Sequence, residues 1–212
     1  MTLTRAFAAA LLLSAPAVCQ PKRAARKAPS NPLLQPERLT ARAPDQYNVR
    51  LDTTRGPITI TVHRDWAPLA ADRFFNLVKN GFFDGSPFHR VMPGFVAQFG
   101  IHAAPAVNAK WRAAPLKDEP VKHKNSLGTV AFAADGANSR TTQVFINLKQ
   151  NTSLDRIGFV PFGDITKGFG STALIYSAYH DRPDPERILK SGFAYLKRSF
   201  PKLDYVKSAV VE

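Results

Sequence analysis

Residues 88–100 read FHRVMPGFVAQFG, an apolar and aromatic run that two polar side chains, Arg90 and Gln98, interrupt. A permanent charge is costly among buried apolar residues unless it has a partner or a task. Strand periodicity predicts two short strands here, with Pro93 and Gly94 forming the turn between them. The period alone leaves open whether Arg90 and Gln98 converge, because the turn makes the register irregular.

The segments before this stretch predict a hairpin followed by a helix. In residues 47–63, YNVRLDTTRGPITITVH, apolar and polar residues alternate on both sides of an Arg-Gly-Pro break, which indicates two strands. From Pro68 onward apolar residues recur at three- and four-residue spacing, and Gly81 follows in a position suited to ending a helix. We therefore expect one amphipathic helix on the sheet, with these apolar positions facing it: Leu69, Phe74, Leu77 and Val78.

The segments after the central stretch are mostly strand-like. Short apolar or β-branched runs such as GTVAFAA and TTQVFINL are separated by Gly, Asn, Asp and Pro as far as Ile165. Residues 173–179 and 185–200 predict helices, and residues 203–211 predict a last strand. Many strands with few helices favour a closed barrel, because closure removes exposed sheet edges.

The N-terminus has the composition of a secretory signal peptide. Residues 1–19, MTLTRAFAAALLLSAPAVC, place one arginine before an apolar run and then small residues spaced for cleavage before Gln20. The apolar run is far shorter than the roughly 20 residues of a membrane span, so we expect no stable membrane insertion. A lipid anchor on Cys19 and a mitochondrial presequence are the alternatives, but Val18 suits the first poorly and the apolar block is not amphipathic enough for the second.

A basic, proline-rich segment follows over residues 20–44 and predicts a solvated linker before a domain over residues 45–212. Residues 45–212 keep 22 Lys and Arg against 15 Asp and Glu, a net charge of +7 compared with +13 for the whole chain. These basic residues are scattered rather than banded, so we expect no nucleic-acid partner. Cys19 is the only cysteine, so cleavage after it would leave no thiol chemistry and no disulfide.

FHRVMPGFVAQFG closely resembles the signature of the cyclophilins, a family of peptidyl-prolyl cis-trans isomerases. Residues 128–147 and 154–165 are similar to the family's second and third conserved blocks, in the same order and at plausible spacing. The resemblance covers about residues 47–170. It implies a mainly β fold, a closed eight-stranded antiparallel β-barrel capped by two α-helices, here with a C-terminal helical extension.

The implied reaction explains why an arginine belongs beside an apolar pocket. Rotation about an X-Pro bond faces a barrier of about 18–20 kcal/mol, because resonance makes the C–N bond partly double. A catalyst must stabilise the twisted amide, whose prolyl nitrogen recovers a lone pair that can accept a hydrogen bond. A guanidinium can donate that bond and stays charged in proteins. No cofactor and no metal are needed.

The resemblance assigns roles residue by residue. Arg90 matches the catalytic arginine, and Gln98 matches the residue that binds the peptide backbone and orients that arginine. The remaining matches line the substrate pocket: Phe95, Phe132, Ala133, Ala134, Phe145, Leu154 and Phe159. Without the resemblance, Arg90 would read as a surface ion-pair residue and the phenylalanines as ordinary core.

Some positions depart from the family pattern. Ser153 stands where many members have a tryptophan that contacts cyclosporin, so we expect weak binding of that drug. Phe159 follows a segment one residue longer than usual, which makes its match the least direct. The five histidines show no paired ligand spacing, which disfavours a zinc site: His63, His89, His102, His123 and His180.

The sequence thus predicts a monomeric enzyme that accelerates X-Pro rotation in exported proteins, in a bacterial periplasm or a secretory route, and so assists their folding. Its partners would be proline-containing polypeptides. The alternative is a proline-binding or chaperone module that uses the same groove without turnover. The presence of Arg90 favours the enzyme.

Overall fold

Eight strands form one curled antiparallel sheet in the computed structural model, which describes residues 31–212. The sheet order is β3-β4-β6-β5-β7-β2-β1-β8. The predicted signal peptide and residues 20–30 of the predicted linker lie outside the described residues. The strands are β1 (Gln46–Thr53), β2 (Gly56–His63), β3 (Arg90–Met92), β4 (Val96–Phe99), β5 (Thr129–Phe132), β6 (Val144–Asn147), β7 (Pro161–Lys167) and β8 (Val206–Val211).

The sheet curls into a half-barrel, which corrects the expectation of a fully closed barrel. Its edge strands β3 and β8 meet through a bridge between Pro87 and Tyr205, flanked by a 2.9 Å bond from the Phe88 N–H to the Asp204 carbonyl. A continuous ladder would need more backbone donors than this edge offers, because β3 has three residues and Pro87 has no N–H. The mainly β, eight-stranded antiparallel prediction is otherwise confirmed.

Within residues 31–212, five α-helices accompany the sheet. The predicted helix after Pro68 is confirmed as α1, and Gly81 has a φ of +68° just beyond its end. Its face differs at one position, because Leu69 in the first turn is exposed while Phe74, Leu77 and Val78 are buried. The helices are α1 (Pro68–Lys79), α2 (Pro105–Arg112), α3 (Thr152–Arg156), α4 (Pro185–Ser191) and α5 (Phe193–Ser199).

The C-terminal third contains helices at some of the predicted places. Residues 185–200 are helical, but Gly192 divides them into α4 and α5, and its φ of +62° suits glycine. A Cβ atom at this position would collide with the carbonyl of Ala103. The helix predicted over residues 173–179 is wrong, since a 3-10 helix over Phe169–Leu174 ends early in that stretch. The last strand is confirmed as β8.

Residues 31–44 pack on the rest of the molecule, which corrects the expectation of a solvated linker for this part of the chain. They belong to the compact unit Asn31–Glu212, and Leu33 and Ala43 are buried. The indole of Trp111 on α2 donates a 2.9 Å hydrogen bond to the Leu33 carbonyl. Asp72 on α1 accepts a 2.8 Å bond from the Ala43 N–H. Composition missed this docking because the partners of the segment, such as Asp72 on α1 and Trp111 on α2, lie elsewhere in the chain.

One cluster of aromatic side chains occupies the interior of the sheet. Phe74 on α1 packs against Phe83 and Phe162, with ring centroids 5.3 and 5.0 Å apart. This packing holds α1 against the inner face of the sheet. Across residues 31–212 no helix has the length and apolar character needed to cross a membrane.

Candidate active site

The register of the sheet brings together the polar residues of the central stretch. Arg90 on β3 is paired with Gln98 on β4, and Gln98 is in turn paired with Phe145 on β6. The turn between β3 and β4 is closed by a 2.9 Å bond from the Phe95 N–H to the Met92 carbonyl. Arg90, Gln98 and Phe145 therefore lie side by side on three neighbouring strands. Arg90 and Gln98 do converge, a question that strand periodicity alone left open.

These three residues border a cavity of about 500 Å³. Every predicted site residue except Phe132 lines it: Arg90, Phe95, Gln98, Ala133, Ala134, Phe145, Leu154 and Phe159. Five residues that the sequence did not assign to the site also line it: Val96, Asp135, Gln143, Pro185 and Glu186. Both an apolar and a polar side are therefore present in one cavity.

Phe132 lies in the core rather than in the pocket wall. Its side chain is fully buried and packs on Phe162, with ring centroids 5.1 Å apart. Alternation along β5 explains the difference, because Ala131 packs in the cluster behind the pocket while the next residue points to the opposite face. The prediction of Phe132 as a pocket residue is corrected accordingly.

The apolar side of the cavity is a compact cluster separate from the main core. Phe145 and Leu154 are buried, and Phe95 and Phe159 pack against them partly exposed. The Phe145 and Phe159 rings meet edge to face, with centroids 5.5 Å apart and planes at 79°. Aromatic rings arranged in this way form a surface that suits a flat, apolar ring such as that of proline.

The polar side is a chain of side-chain hydrogen bonds. Arg90 Nη1 donates to Gln98 Oε1 at 3.4 Å, and Gln98 Nε2 donates to Gln143 Oε1 at 2.8 Å. The Arg90 guanidinium also lies 5.6 Å from the centre of the Phe95 ring. Held by a glutamine and an aromatic face, Arg90 is directed along the cavity and carries no carboxylate partner among the described residues.

His89 supports this chain from inside the protein. Its Nε2 lies 3.1 Å from Gln143 Oε1, which can only accept, so Nε2 carries the proton. Burial lowers the pKa of His89 to about 4, so the ring is neutral near pH 7. Gln143 is thus held between His89 and Gln98.

Gln143 and Glu186 are the informative residues that the sequence did not assign. Gln143 stands two places before Phe145, so strand alternation could have placed it on the same side. Glu186 comes from α4, and its carboxylate accepts a 2.8 Å ion-pair bond from Arg112 on α2. No local sequence pattern connects α4 with residues 88–100, because the two segments meet only through the tertiary fold.

No cluster of three or more His, Cys, Asp or Glu side chains able to hold a metal ion occurs within residues 31–212. The groups that line the cavity are an arginine, two glutamines, two carboxylates and an apolar floor. Such a set can bind and polarise an amide.

Comparison with known proteins agrees with this geometry. Residues 48–191 match the family model of the cyclophilin type peptidyl-prolyl cis-trans isomerase/CLD. A peptidyl-prolyl cis-trans isomerase of Acinetobacter baylyi is 35% identical over 136 residues, covering 61% of this chain and 72% of that protein. The isomerase ppi1 of Schizosaccharomyces pombe is 31% identical over 151 residues, covering 68% of this chain and 97% of that protein.

A solved structure shares the fold. The cyclophilin type isomerase of Cryptosporidium parvum superposes with a TM-score of 0.61 at 21% identity, covering 79% of this chain and 98% of that one. Because the family model spans most of the chain and the relatives carry the same activity, this protein belongs to the cyclophilin-type peptidyl-prolyl cis-trans isomerases.

Proposed function

We propose that this isomerase accelerates X-Pro rotation in exported proteins, assisting their folding, and that Arg90 is its catalytic residue. The observation that carries the role of Arg90 is its position at one cavity with Phe95, Phe145 and Leu154, where its guanidinium forms no ion pair with any carboxylate of residues 31–212. An apolar floor and a free guanidinium fork are the two features that a twisted prolyl amide requires.

The apolar floor would hold the proline ring while the preceding carbonyl rotates. Phe145 in the floor and Leu154 in the adjoining wall are nearly inaccessible from the solvent, so the pocket presents packed apolar surface rather than mobile side chains. Holding one side of the bond still makes rotation of the other side productive. This arrangement would hold the ring similarly in the cis and trans isomers of the X-Pro bond. Preference for the twisted state would then come from the polar side of the cavity.

Arg90 would stabilise the twisted state by donating to the prolyl nitrogen as its lone pair reappears. The bond from Nη1 to Gln98 Oε1 is long, at 3.4 Å, and leaves further N–H donors of the guanidinium to reach into the cavity. Gln98 is itself anchored to Gln143 at 2.8 Å. Preorganised donors of this kind need no reorganisation as charge develops, which is the source of their effect.

Export is supported by residues 1–19, whose charged start, apolar run and small residues before Gln20 have the form of a secretory signal. The full chain expressed in a bacterial host would test this. We expect the processed protein in the periplasmic or secreted fraction, with Gln20 as its N-terminal residue by Edman sequencing. Unprocessed protein confined to the cytosol would contradict export and leave the isomerase activity unaffected.

Catalysis is tested by two-dimensional NMR exchange on an Ala-Ala-Pro-Phe peptide with the protein from Gln20 onward. We expect the parent to accelerate exchange and Arg90→Ala to lose about a hundredfold or more of that rate. Arg90→Lys should lose most of it too, because an ammonium lacks the planar fork. Arg50→Ala, which removes an exposed arginine on β1, is the control and should match the parent. A parent that binds the peptide without accelerating exchange would instead be a proline-binding module.

A further inference from the structure

Three buried asparagines lie behind the pocket and do not line it. Asn125 and Asn147 are 0% exposed and Asn151 is 3% exposed. Burying an amide is favourable only when its donors and acceptors are satisfied, so each of these side chains must have partners inside the protein. Their partners show that they form one connected row.

The row begins at the floor of the pocket. Asn151 Nδ2 donates a 2.9 Å hydrogen bond to the carbonyl of Phe95, the floor residue whose ring faces Arg90. The same nitrogen donates at 2.7 Å to Asn147 Oδ1. Asn147 Nδ2 then donates to Asn125 Oδ1 at 3.1 Å and to the hydroxyl of Thr129 at 2.9 Å.

The row ends at the opposite wall. Asn125 Nδ2 donates to the carbonyl of Phe159 at 2.9 Å and to Asp155 Oδ1 at 2.8 Å. Phe159 is the aromatic residue that meets Phe145 edge to face. The backbone of the floor and the backbone of the wall are therefore joined by an unbroken series of side-chain amides.

Asn151 occupies the N-cap position of α3, but its side chain makes no capping hydrogen bond. An asparagine side chain at this position normally accepts a bond from the first turn. The side chain is directed into the row instead. Its backbone N–H donates to the Asn125 carbonyl at 2.7 Å, so α3, which carries Leu154, is tied to the same row.

We propose that Asn125, Asn147 and Asn151 are positioning residues that set the distance between Phe95 on the floor and Leu154 and Phe159 on the walls, and so tune the affinity for the proline ring. Ile157 and Gly158 just before Phe159 are exposed, and a 3.1 Å bond from the Phe159 N–H to the Leu154 carbonyl ties the two wall residues to each other, so the row connects both of them to Phe95. This inference deepens the proposed function and rests on it. Since hydrogen-bond geometry tolerates only a few tenths of an ångström, a connected row sets the pocket width more narrowly than apolar contact does.

The test uses serine substitutions that remove the side-chain amide: Asn125→Ser, Asn151→Ser and the double variant. Serine at position 151 also keeps a side chain that can cap α3. The control is Asn76→Ser, because Asn76 is 4% exposed and its amide bonds the backbone of Ala41 and Asp72, none of which lines the cavity. The readouts are the Kd of an Ala-Ala-Pro-Phe peptide by NMR titration, kcat from exchange, and the free energy of unfolding in urea.

We expect each single variant to weaken peptide binding about fivefold, in line with the loss of one buried hydrogen bond, with kcat within about twofold of the parent. Because the row acts as a unit, the double variant should bind no more than about fivefold to tenfold more weakly than the parent. Asn76→Ser should lose comparable stability and keep the parent's Kd.

Unchanged affinity in a folded Asn151→Ser, or equal weakening in Asn76→Ser, would reduce the row to a structural role and overturn the inference. Affinity losses that multiply to about 25-fold in the double variant would show independent residues rather than one row. Where a variant fails to fold, the side-chain amide signals of the parent supply the test: those of Asn125 and Asn151 should shift on peptide saturation, and unchanged signals contradict the proposal. Because Kd is read without turnover, a parent that binds but does not catalyse would remove the proposed function alone.

Discussion

Gln98 stands directly opposite Arg90 across β3 and β4, and its side chain accepts from the guanidinium at 3.4 Å while donating to Gln143 at 2.8 Å. The amide thus uses its oxygen toward the reacting centre and its nitrogen toward the protein interior. Arg90 itself is partly exposed, so this contact and the Phe95 ring are what restrict its orientation. The orientation of the Arg90 side chain therefore depends on Gln98, eight positions later in the chain.

Gln98→Leu should lower kcat/KM about tenfold, because leucine fills a similar volume and removes both hydrogen bonds. The loss should appear mainly in kcat, since Arg90 would still be present but less well oriented. NMR exchange on an Ala-Ala-Pro-Phe peptide measures both constants. Gln46→Leu, an exposed position on β1, is the control and should keep the parent's rate. Full activity in Gln98→Leu would show that Arg90 needs no such anchor.

His89 should make stability depend on pH between about 4 and 6.5. Burial lowers the pKa of His89 to about 4 from its ordinary value of 6.5, so in this window the unfolded chain binds a proton that the folded chain does not. The contribution is complete above pH 6.5 and is lost as the pH falls toward 4, by about 3 kcal/mol in the free energy of unfolding.

Urea unfolding at pH 7 and pH 4.5 measures this effect. His89→Gln keeps a donor for Gln143 and should lower the dependence on pH, leaving the part due to His102, whose pKa burial also lowers. Gln46→Leu changes an exposed, non-titrating side chain and should retain the parent's dependence. Identical pH profiles for the parent and His89→Gln would contradict the buried neutral ring.

Phe132 and Phe145 should respond differently to the same substitution. Phe132→Leu removes part of a fully buried core ring and should lower the free energy of unfolding by about 1–3 kcal/mol with peptide affinity unchanged. Phe145→Leu should weaken peptide binding about tenfold, because its ring forms the floor of the cavity. Urea unfolding and peptide titration separate the two effects. Weaker binding in Phe132→Leu at unchanged stability would return that residue to the pocket.

Residues 31–44 should contribute to stability although their composition is that of a linker. Leu33→Ala should cost about 2–3 kcal/mol, because Leu33 is 4% exposed beside Trp111. Leu34→Ala is the matched control, since the neighbouring leucine is 36% exposed and should cost less than about 1 kcal/mol. Thermal or urea unfolding of both variants decides the point. Equal, small costs would mean that the segment docks without stabilising the fold.

Cyclosporin binding should be weak and should improve on one substitution. Ser153 is exposed beside Leu154, in the place where a tryptophan would add aromatic surface to the rim. Ser153→Trp should tighten binding of the drug about tenfold or more and leave peptide exchange within about twofold. Isothermal titration of both proteins measures this. Tight binding by the parent would show that the other rim residues supply the contact.

Local sequence patterns were sufficient to predict a strand or helix whose buried face is set by its own residues. Alternation in residues 47–63 predicted β1 and β2, and the spacing after Pro68 predicted α1, because each face is set by a short-range period. The central stretch also identified the family through residues whose chemistry suits one task. The resemblance assigns Arg90, Phe95, Gln98 and Phe145 to the site, and the structure places all four at one cavity.

Patterns failed where the outcome depended on distant parts of the chain. The resemblance assigns Phe132 to the pocket, but the pleat of β5 turns it toward Phe162, and this orientation depends on which face of the sheet is covered. Residues 31–44 read as a linker because their burial comes from α1 and α2 rather than from their own composition.

The sequence by itself determined the chemistry of this protein: an arginine, a glutamine and aromatic residues of the types that X-Pro rotation requires, in an order typical of one family. The tertiary structure alone decided which of them meet. Cross-strand register places Gln98 between Arg90 and Phe145, the docking of α4 brings Glu186 to the rim, and a row of buried asparagines joins the floor to the wall. The pairing of Gln98 with Phe145 and the bond from Asn151 to Phe95 link residues about 50 positions apart, and such long-range contacts are set by the packing of the whole sheet rather than by any local period.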